Sequence, residues 1–394
     1  MYSIKTMNNI AEVGLARFSA ANYAVSDSAA DPDAILVRSA KLLDMEFGDR
    51  LLCISRAGAG TNNIPIDRCS EKGIVVFNTP GANSNAVKEL ALCALLLASR
   101  DVVGGIQWVK SIADQGDAVP ALVEKGKSSY VGPEIYGKTL GVIGLGAIGA
   151  RIANAALELG MKVYGYDPYL SVDAAWNLSA NIVHATDINE IYESCDYITI
   201  HVPHIPATHH IINADAFAKM RTGVRLLNLA RGELVDDDAL CAAIDCGKVA
   251  CYVTDFPNAK TADMPNVIAI PHLGASTPES EDNCAVMAAN EIIDYLEWGN
   301  IRNSVNMAPA SMPATGDPRL CVIHQNIPDM IAKITSAISA RGTNIENMVN
   351  SARKGSSYAY TLLELATEPG GSLLDAIAAI EGVIRVRAIP AHKR

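Results

Sequence analysis

Three side chains with complementary chemistry each follow a short apolar run in the second half of the chain. Arg231 follows the run 224–229, Asp255 the run 250–254 and His272 the run 267–270. An imidazole takes or gives a proton near neutral pH. A guanidinium fork matches a carboxylate with two parallel hydrogen bonds and polarises an adjoining C–O group. Such a set suits loss of hydride from the alcohol of a small anion, with the hydroxyl proton passing to the histidine. Plainer readings exist: Arg231 as a loop brace, His272 as a satisfied core histidine. Their shared position after strands, beside Gly232 and Gly274, favours chemistry.

A hydride needs an acceptor, and the chain offers a place for one. The turn Gly144-Leu145-Gly146-Ala147-Ile148-Gly149 lies between an apolar run, 140–143, and a helix-like segment that stops at Gly160. The first glycine allows the tight turn and the second lets backbone N–H groups approach a pyrophosphate. The third lets the helix pack closely on the strand. The helix N-terminus then presents unpaired N–H groups and a positive dipole end. Asp167 closes the next run at close to the roughly 20-residue spacing of a ribose-binding acid. A carboxylate there repels a 2′-phosphate, so NAD is expected over NADP. Ala147, Ile148, Val202, Pro203, Ala230, Asp255, Gly274 and Ala275 complete the expected cofactor contacts. A glycine turn alone is weak support; the strand before it, the helix after it and the later acid give it weight.

The 394 residues carry a formal net charge of −11. That argues against nonspecific nucleic-acid binding and leaves any anionic ligand to local cations. Arg38 and Arg56 follow the runs 34–37 and 51–55. They read either as solvated surface charges or as clamps for a phosphate or carboxylate. The 9 cysteines include no C-x-x-C pair, which fits reduced thiols. Cys241, Cys246 and Cys251, and the loop histidines His204, His209 and His210, are not read as metal sites. The start of the chain has no apolar signal region, and the run 90–98 is too short to span a bilayer. A cytoplasmic protein is expected.

Alternating strand and helix signals imply parallel sheets with ligand groups after the strand C-termini. A helix is expected from Asn85, capped by that residue, and a long one over 278–298, capped by Thr277. The stretch 307–317, rich in Pro and small residues, reads as a linker. Beyond it the pattern is strand 320–324, helix 329–340, strands 345–352 and 358–365, helix 372–380 and strand 383–389. This is a ferredoxin-like βαββαβ unit, whose sheet would keep an open face and edges for pairing with another copy.

These residues resemble the D-2-hydroxyacid dehydrogenases over nearly the whole chain. The resemblance rests on the glycine turn with Asp167, on Asn-Leu-Ala-Arg-Gly-Glu-Leu-Val-Asp at 228–236 and on Pro-His-Leu-Gly-Ala-Ser-Thr at 271–277. Val-Arg-Ser-Ala-Lys at 37–41 and Asn-Thr-Pro-Gly-Ala-Asn-Ser at 78–84 point to the branch that oxidises 3-phospho-D-glycerate to 3-phosphooxypyruvate, the entry to serine synthesis. The resemblance implies an α/β fold with a Rossmann-type nucleotide domain, 99–278, inserted in a flavodoxin-like substrate domain, 1–98 and 279–306. The linker and an ACT-type regulatory domain, 318–394, follow. It implies NAD as cofactor, His272 as acid–base and Arg231 on the substrate carboxylate. Arg38, Lys41, Arg56, Gly58 and Asn83 would contact the rest of the substrate. His324, Asn326 and Asn344 match positions that bind L-serine in some members, and a homodimer or homotetramer is implied.

Two departures stand out. The family places a glutamate shortly after the strand ending near Asp255, where it orients the histidine; here the run is Asp255-Phe256-Pro257-Asn258-Ala259-Lys260. Asp255 either takes that role or meets the nicotinamide end of NAD. In the regulatory domain the glycine after Pro328 is Asp329, whose side chain would crowd an amino-acid carboxylate. Other readings are a glyoxylate or hydroxypyruvate reductase, and a non-catalytic NAD-sensing scaffold.

Overall fold

The computed structural model describes residues 1–391, with Asp173 described by its backbone alone. The chain divides into two compact units, Met1–Asn83 with the residues from Glu281 on, and Ser84–Ser280.

In the first unit, strands β1 (Tyr2–Met7), β2 (Tyr23–Ser26), β3 (Ala34–Val37), β4 (Cys53–Arg56) and β5 (Val75–Asn78) form a sheet ordered β2-β1-β3-β4-β5. All neighbours pair in parallel, the flavodoxin-like arrangement. β3 is buried at every position, so it reads as an apolar run. β1 buries Ile4 alone and β2 Tyr23 alone, so neither shows in the sequence. The helix Pro278–Trp298 opens with the expected cap, Thr277 Oγ1 accepting from Ser280 N–H at 3.1 Å. Its Ala288, Ala289, Ile292, Tyr295 and Leu296 share a core with Ile4, Leu36, Cys53, Val75 and Phe77.

The second unit holds β6 (Thr139–Ile143), β7 (Lys162–Tyr166), β8 (Val183–His184), β9 (Tyr197–Ile200), β10 (Val224–Asn228), β11 (Val249–Thr254) and β12 (Val267–Ala269). They form one seven-stranded sheet, ordered β12-β11-β10-β9-β6-β7-β8, the Rossmann pattern. Strand order reverses between β6 and β9, and ligands bind beyond the carboxyl ends at such a switch point. The helix Ser84–Ser99 belongs here: Val87, Ala91, Ala94, Leu95 and Ala98 pack with Ala153 and Ala156 of the helix Gly149–Glu158. The crossings between units therefore fall at Asn83/Ser84 and Ser280/Glu281, not at 98/99 and 278/279. Asn85 is not the cap of that helix; it lies within the first turn and its amide donates to Glu89 Oε1 at 2.8 Å.

The last strands are β13 (Arg319–Gln325), β14 (Ile345–Ala352), β15 (Tyr358–Leu365) and β16 (Val383–Ile389). They form an antiparallel sheet ordered β14-β15-β13-β16, which is ferredoxin-like. Helices Met330–Ser339 and Gly371–Ala378 cover one face through Ile334, Ile338, Leu373 and Ile377. The other face is not open, as the sequence pattern suggests. Cys321, Ile323, Tyr360, Leu362 and Ile389 join the core of the first unit beside Tyr295 and Leu296. The last carbonyls of the helix Pro278–Trp298 are met there. Arg387 donates to Tyr295 O at 2.7 Å and Leu296 O at 2.9 Å, and Arg319 donates to Trp298 O at 2.7 Å. A buried Arg319 and a half-buried Arg387 at the helix C-terminus satisfy its orphan carbonyls and oppose its dipole.

The stretch 307–317 is likewise not a loose linker. Met307, Ala308, Ala310 and Met312 are buried, and Ala310 exchanges two backbone hydrogen bonds with Ile301, at 2.7 and 2.9 Å. Small apolar residues read as a linker by composition, yet they fit a narrow packed strap.

Candidate active site

The residues at the carboxyl edge of the Rossmann sheet can be built up strand by strand. Asn228, at the end of β10, is fully buried. Its Nδ2 donates to Arg231 O at 2.8 Å, and its Oδ1 accepts from Ala230 N–H at 3.2 Å. This side chain shapes the loop and projects Arg231, whose own Nη1 donates to Ala230 O at 2.6 Å. β11 ends one residue before Asp255, which is 1 % exposed. Asp255 Oδ2 accepts Gly274 N–H at 3.2 Å, tying the loop after β12 to the end of β11. Its Oδ1 is buried and meets no donor among the described residues. Burial pushes the Asp255 carboxyl above the usual carboxylate range, with the Gly274 N–H and nearby His272 pulling the other way.

Phe256 joins these parts, and sequence reasoning did not mark it. The His272 ring lies against it at 4.4 Å between centroids, tilted by 45°. The Arg231 guanidinium lies over the same ring at 5.4 Å. Arg231 and His272, both exposed, are thus gathered around one aromatic side chain that follows the buried Asp255 in the chain. No hydrogen bond of the described residues joins Asp255 to the His272 imidazole. Asp255 holds the histidine's loop through Gly274 instead, so the orienting contact of the absent glutamate has no direct replacement.

The glycine turn fits a dinucleotide on structural grounds. Gly144 has φ +91°, and a Cβ there would stand 2.6 Å from His201 O. A Cβ on Gly149 would strike Gly144 O, whereas around Gly146 there is open space. Asp167 Oδ2 accepts Leu145 N–H at 2.9 Å and Oδ1 accepts Tyr169 N–H at 2.9 Å. Each oxygen keeps a lone pair for a ribose hydroxyl. Ala147 is exposed on the turn and Ile148 half-buried; Val202 and Pro203 follow β9, with Val202 beside Gly144. Ala275 is half-buried next to Gly274. His201 is a further residue the sequence did not single out. Its Nε2 meets Thr199 Oγ1 at 2.8 Å, its Nδ1 is buried without a partner among the described residues, and burial lowers its pKa to about 3. A neutral imidazole beside the turn is the consequence.

The anion-binding candidates lie in the other unit. Arg56, half-buried at the end of β4, donates from Nε to Arg38 O at 2.9 Å and from Nη1 to Gly60 O at 2.5 Å. Arg38 pairs with Glu281 at 2.5 Å, and both side chains are more than two-fifths exposed, at 42% and 43%. Lys41 is exposed and Asn83 half-buried. Gly58, at φ +153°, turns the chain around the Arg56 guanidinium. The regulatory candidates do not converge within one chain. His324 pairs across to Ala359 at one end of the C-terminal sheet, and Asn326 donates to Ser356 O at that same end. Asn344 precedes Ile345, which pairs with Leu365 at the other end. Asp329 stands at φ +71°, in the left-handed region glycine favours. The loop histidines stack, with His209 and His210 rings 3.9 Å apart. No group of three or more His, Cys, Asp or Glu among the described residues is arranged to hold a metal.

The model of the "D-isomer specific 2-hydroxyacid dehydrogenase, NAD binding domain" matches residues 92–274. D-3-phosphoglycerate dehydrogenase of Haemophilus influenzae is 30% identical over 357 residues, covering 88% of this chain and 83% of that one. The chain belongs to the D-2-hydroxyacid dehydrogenase family. It binds NAD through the Rossmann unit. The D-3-phosphoglycerate dehydrogenase of Synechocystis sp. is 34% identical over 292 residues, covering 72% of this chain and 50% of that one. The chain spans about half the length of several curated relatives it matches. The crystal structure of NAD+-bound 3-phosphoglycerate dehydrogenase from Entamoeba histolytica superposes with a TM-score of 0.59 at 27% identity, over 77% of this chain and 98% of that one. No helix among the described residues is long and apolar enough to cross a membrane.

Proposed function

We propose that the protein oxidises the 2-hydroxyl of 3-phospho-D-glycerate to give 3-phosphooxypyruvate, with NAD. The observation that carries this reading is the gathering of exposed Arg231 and His272 around Phe256, at the carboxyl edge of a Rossmann sheet. His272 accepts the hydroxyl proton, and Arg231 holds the substrate carboxylate through its fork. Gly144, Gly146 and Gly149 with Asp167 would hold the NAD pyrophosphate and ribose, and the nicotinamide supplies the hydride acceptor. Asp255, through Gly274, keeps the histidine's loop against β11. Arg38, Lys41 and Arg56 supply cations for the phosphate, with Gly58 and Asn83 beside them; Arg38 exchanges its partner Glu281 for the ligand. D-3-phosphoglycerate dehydrogenases among the relatives support the phosphorylated substrate. The substrate domain is taken as the first unit up to about Asn83 plus the helix from Glu281.

The deciding assay is NADH formation with 3-phosphoglycerate, run beside NADP and unphosphorylated glycerate. Equal rates on glycerate would move the assignment to a reductase of unphosphorylated 2-oxo acids, which the Arg38–Glu281 pair would favour by occupying one cation. For the C-terminal domain, L-serine is the proposed effector in a homodimer or homotetramer. A site using His324, Asn326 and Asn344 together needs two copies, because one chain separates them. Titration calorimetry with millimolar serine tests it; no heat and no change in rate would reject it.

A further inference from the structure

Glu291 lies inside the helix Pro278–Trp298 and is 8% exposed. Its carboxylate accepts from Ser55 Oγ at 3.0 Å and from Asn303 Nδ2 at 2.9 Å. Neither donor is charged, and burial pushes the Glu291 carboxyl up to about 7. A buried acid with no cation beside it costs stability, and a glutamine would accept and donate in the same place without that cost. Glu291 also lines an open cleft of about 470 Å³ with Phe77, Asn290, Asp294 and Arg302. Arg302 there is held by Asp294 at 2.9 Å.

The two donors lead to the two strand ends that carry the anion-binding candidates. Ser55 precedes Arg56 on β4, whose guanidinium donates to Arg38 O and Gly60 O. Asn303 O accepts Asn78 N–H at 3.3 Å, where β5 ends and the turn toward Asn83 begins. Asn78 Nδ2 then donates to Ala59 O at 2.5 Å, and Thr79 N–H donates to Gly58 O at 3.2 Å. β4 and β5 pair in register through Ser55–Phe77 and Arg56–Asn78. The path closes on itself: Glu291, Ser55, Arg56, the Gly58–Gly60 turn, Asn78, Asn303 and Glu291 again.

We propose that Glu291 is a positioning residue, holding the ends of β4 and β5 so that Arg56 and the turn from Asn78 to Asn83 meet the anionic end of the substrate in a fixed geometry. This rests on the reading of Arg56 as a substrate contact. Both arms pull on backbone that carries a candidate ligand, and both start from one carboxyl group. Loss of that group frees two loops at once while leaving the Rossmann unit untouched.

The test uses the full chain. Glu291→Ala is expected to raise KM for 3-phosphoglycerate about tenfold, the scale of one hydrogen bond to a charged group, with kcat and KM for NAD within about twofold. Glu291→Gln, which keeps a partner for both Ser55 and Asn303, is expected to restore most of that loss. Amide exchange without substrate reads the tie directly: protection at Asn78 and Thr79 falls in Glu291→Ala and returns in Glu291→Gln. Should Glu291→Ala fail to fold, Ser55→Ala removes one arm without a charge and carries the same expectations at smaller size. Unchanged exchange in the folded alanine variant overturns the tie. Unchanged KM despite faster exchange overturns its role in substrate positioning. Arg56→Ala separates the premise: if KM ignores Arg56 while exchange still responds to Glu291, the reading of Arg56 has failed and not the tie.

Discussion

Arg231 and Arg319 are the same side chain in settings that differ in what meets them. Arg319 is 1% exposed and spends its fork on Trp298 O, Met312 O, Pro313 O and Glu364 Oε1. Arg231 is exposed, and among the described residues its side chain donates to its neighbour's carbonyl. The histidines divide in the same way. His324 is 2% exposed and uses both ring nitrogens, on Gln325 O at 2.7 Å and Thr361 Oγ1 at 2.9 Å. His272 is exposed and packs its ring, tilted by 45°, against Phe256. The acids follow suit: Glu364 Oε1 accepts from Arg319 Nη2 at 2.6 Å, Arg319 Nε at 3.0 Å and Thr315 Oγ1 at 2.9 Å, whereas Asp255 keeps one buried oxygen unpaired among the described residues. Saturated polar groups specify a packed structure, and unspent ones at a sheet edge await a ligand. Residue type does not distinguish the two regions; partner accounting does.

That contrast can be broken at either side, most severely at the histidine. His272→Asn is expected to lower kcat by roughly 10²–10⁴, with NAD binding kept, since one acid–base group is removed. A near-normal kcat would place His272 among the spent groups. On the packed side, Arg319→Leu leaves Glu364 buried without its cation. A loss of about 3–5 kcal/mol in the denaturant midpoint analysis is expected, with kcat of the folded fraction unchanged. A loss below about 1 kcal/mol would mean the pair is as solvated as a surface bridge.

Asp255 allows a finer cut. Burial raises its folded pKa, so the native state binds the proton more tightly than the unfolded chain. The resulting stabilisation is complete below the ordinary carboxylate range and is lost as pH rises through the raised value. Asp255→Asn should therefore gain stability relative to wild type as pH rises from below the ordinary carboxylate range to neutrality, read by thermal melts at both ends. Coincident melting differences at both ends would remove the buried, unpaired charge from the account. The smallest effect is at Asp329, which stands at φ +71°. Asp329→Gly should relieve left-handed strain and stabilise by up to about 1 kcal/mol, less the added entropy of the unfolded chain. A measurable loss would show that its contact with Lys333 Nζ, at 3.6 Å, outweighs the strain.

Legibility followed local physics. The glycine turn was readable because tight turning, close packing and phosphate approach each demand a glycine at a set spacing, and Gly144 and Gly149 meet those demands. β3, buried throughout, and β14, β15 and β16 were readable from apolar runs or turn spacing. β1 and β2, each with one buried residue, were not. The helix Ser84–Ser99 was recognisable as a helix, but its allegiance to the Rossmann core was not, because an Ala-rich face fits any close partner. Phe256 and Glu291 escaped notice for a related reason: an aromatic after a strand and an acid within a helix are ordinary until their neighbours are known.

The amino-acid order alone determined which side chains follow which strands, and so which of them could share an edge with a nucleotide. Backbone sterics and two-residue or four-residue periodicities act over short spans, and they leave their trace in neighbouring positions. Whether an arginine is spent or free, whether the last sheet keeps a bare face, and which carboxyl lacks a donor were decided only on folding. Those outcomes depend on groups that meet from distant parts of the chain, such as Arg387 with Tyr295 or Glu291 with Ser55, and burial then sets the energetic weight of every bond made or missed.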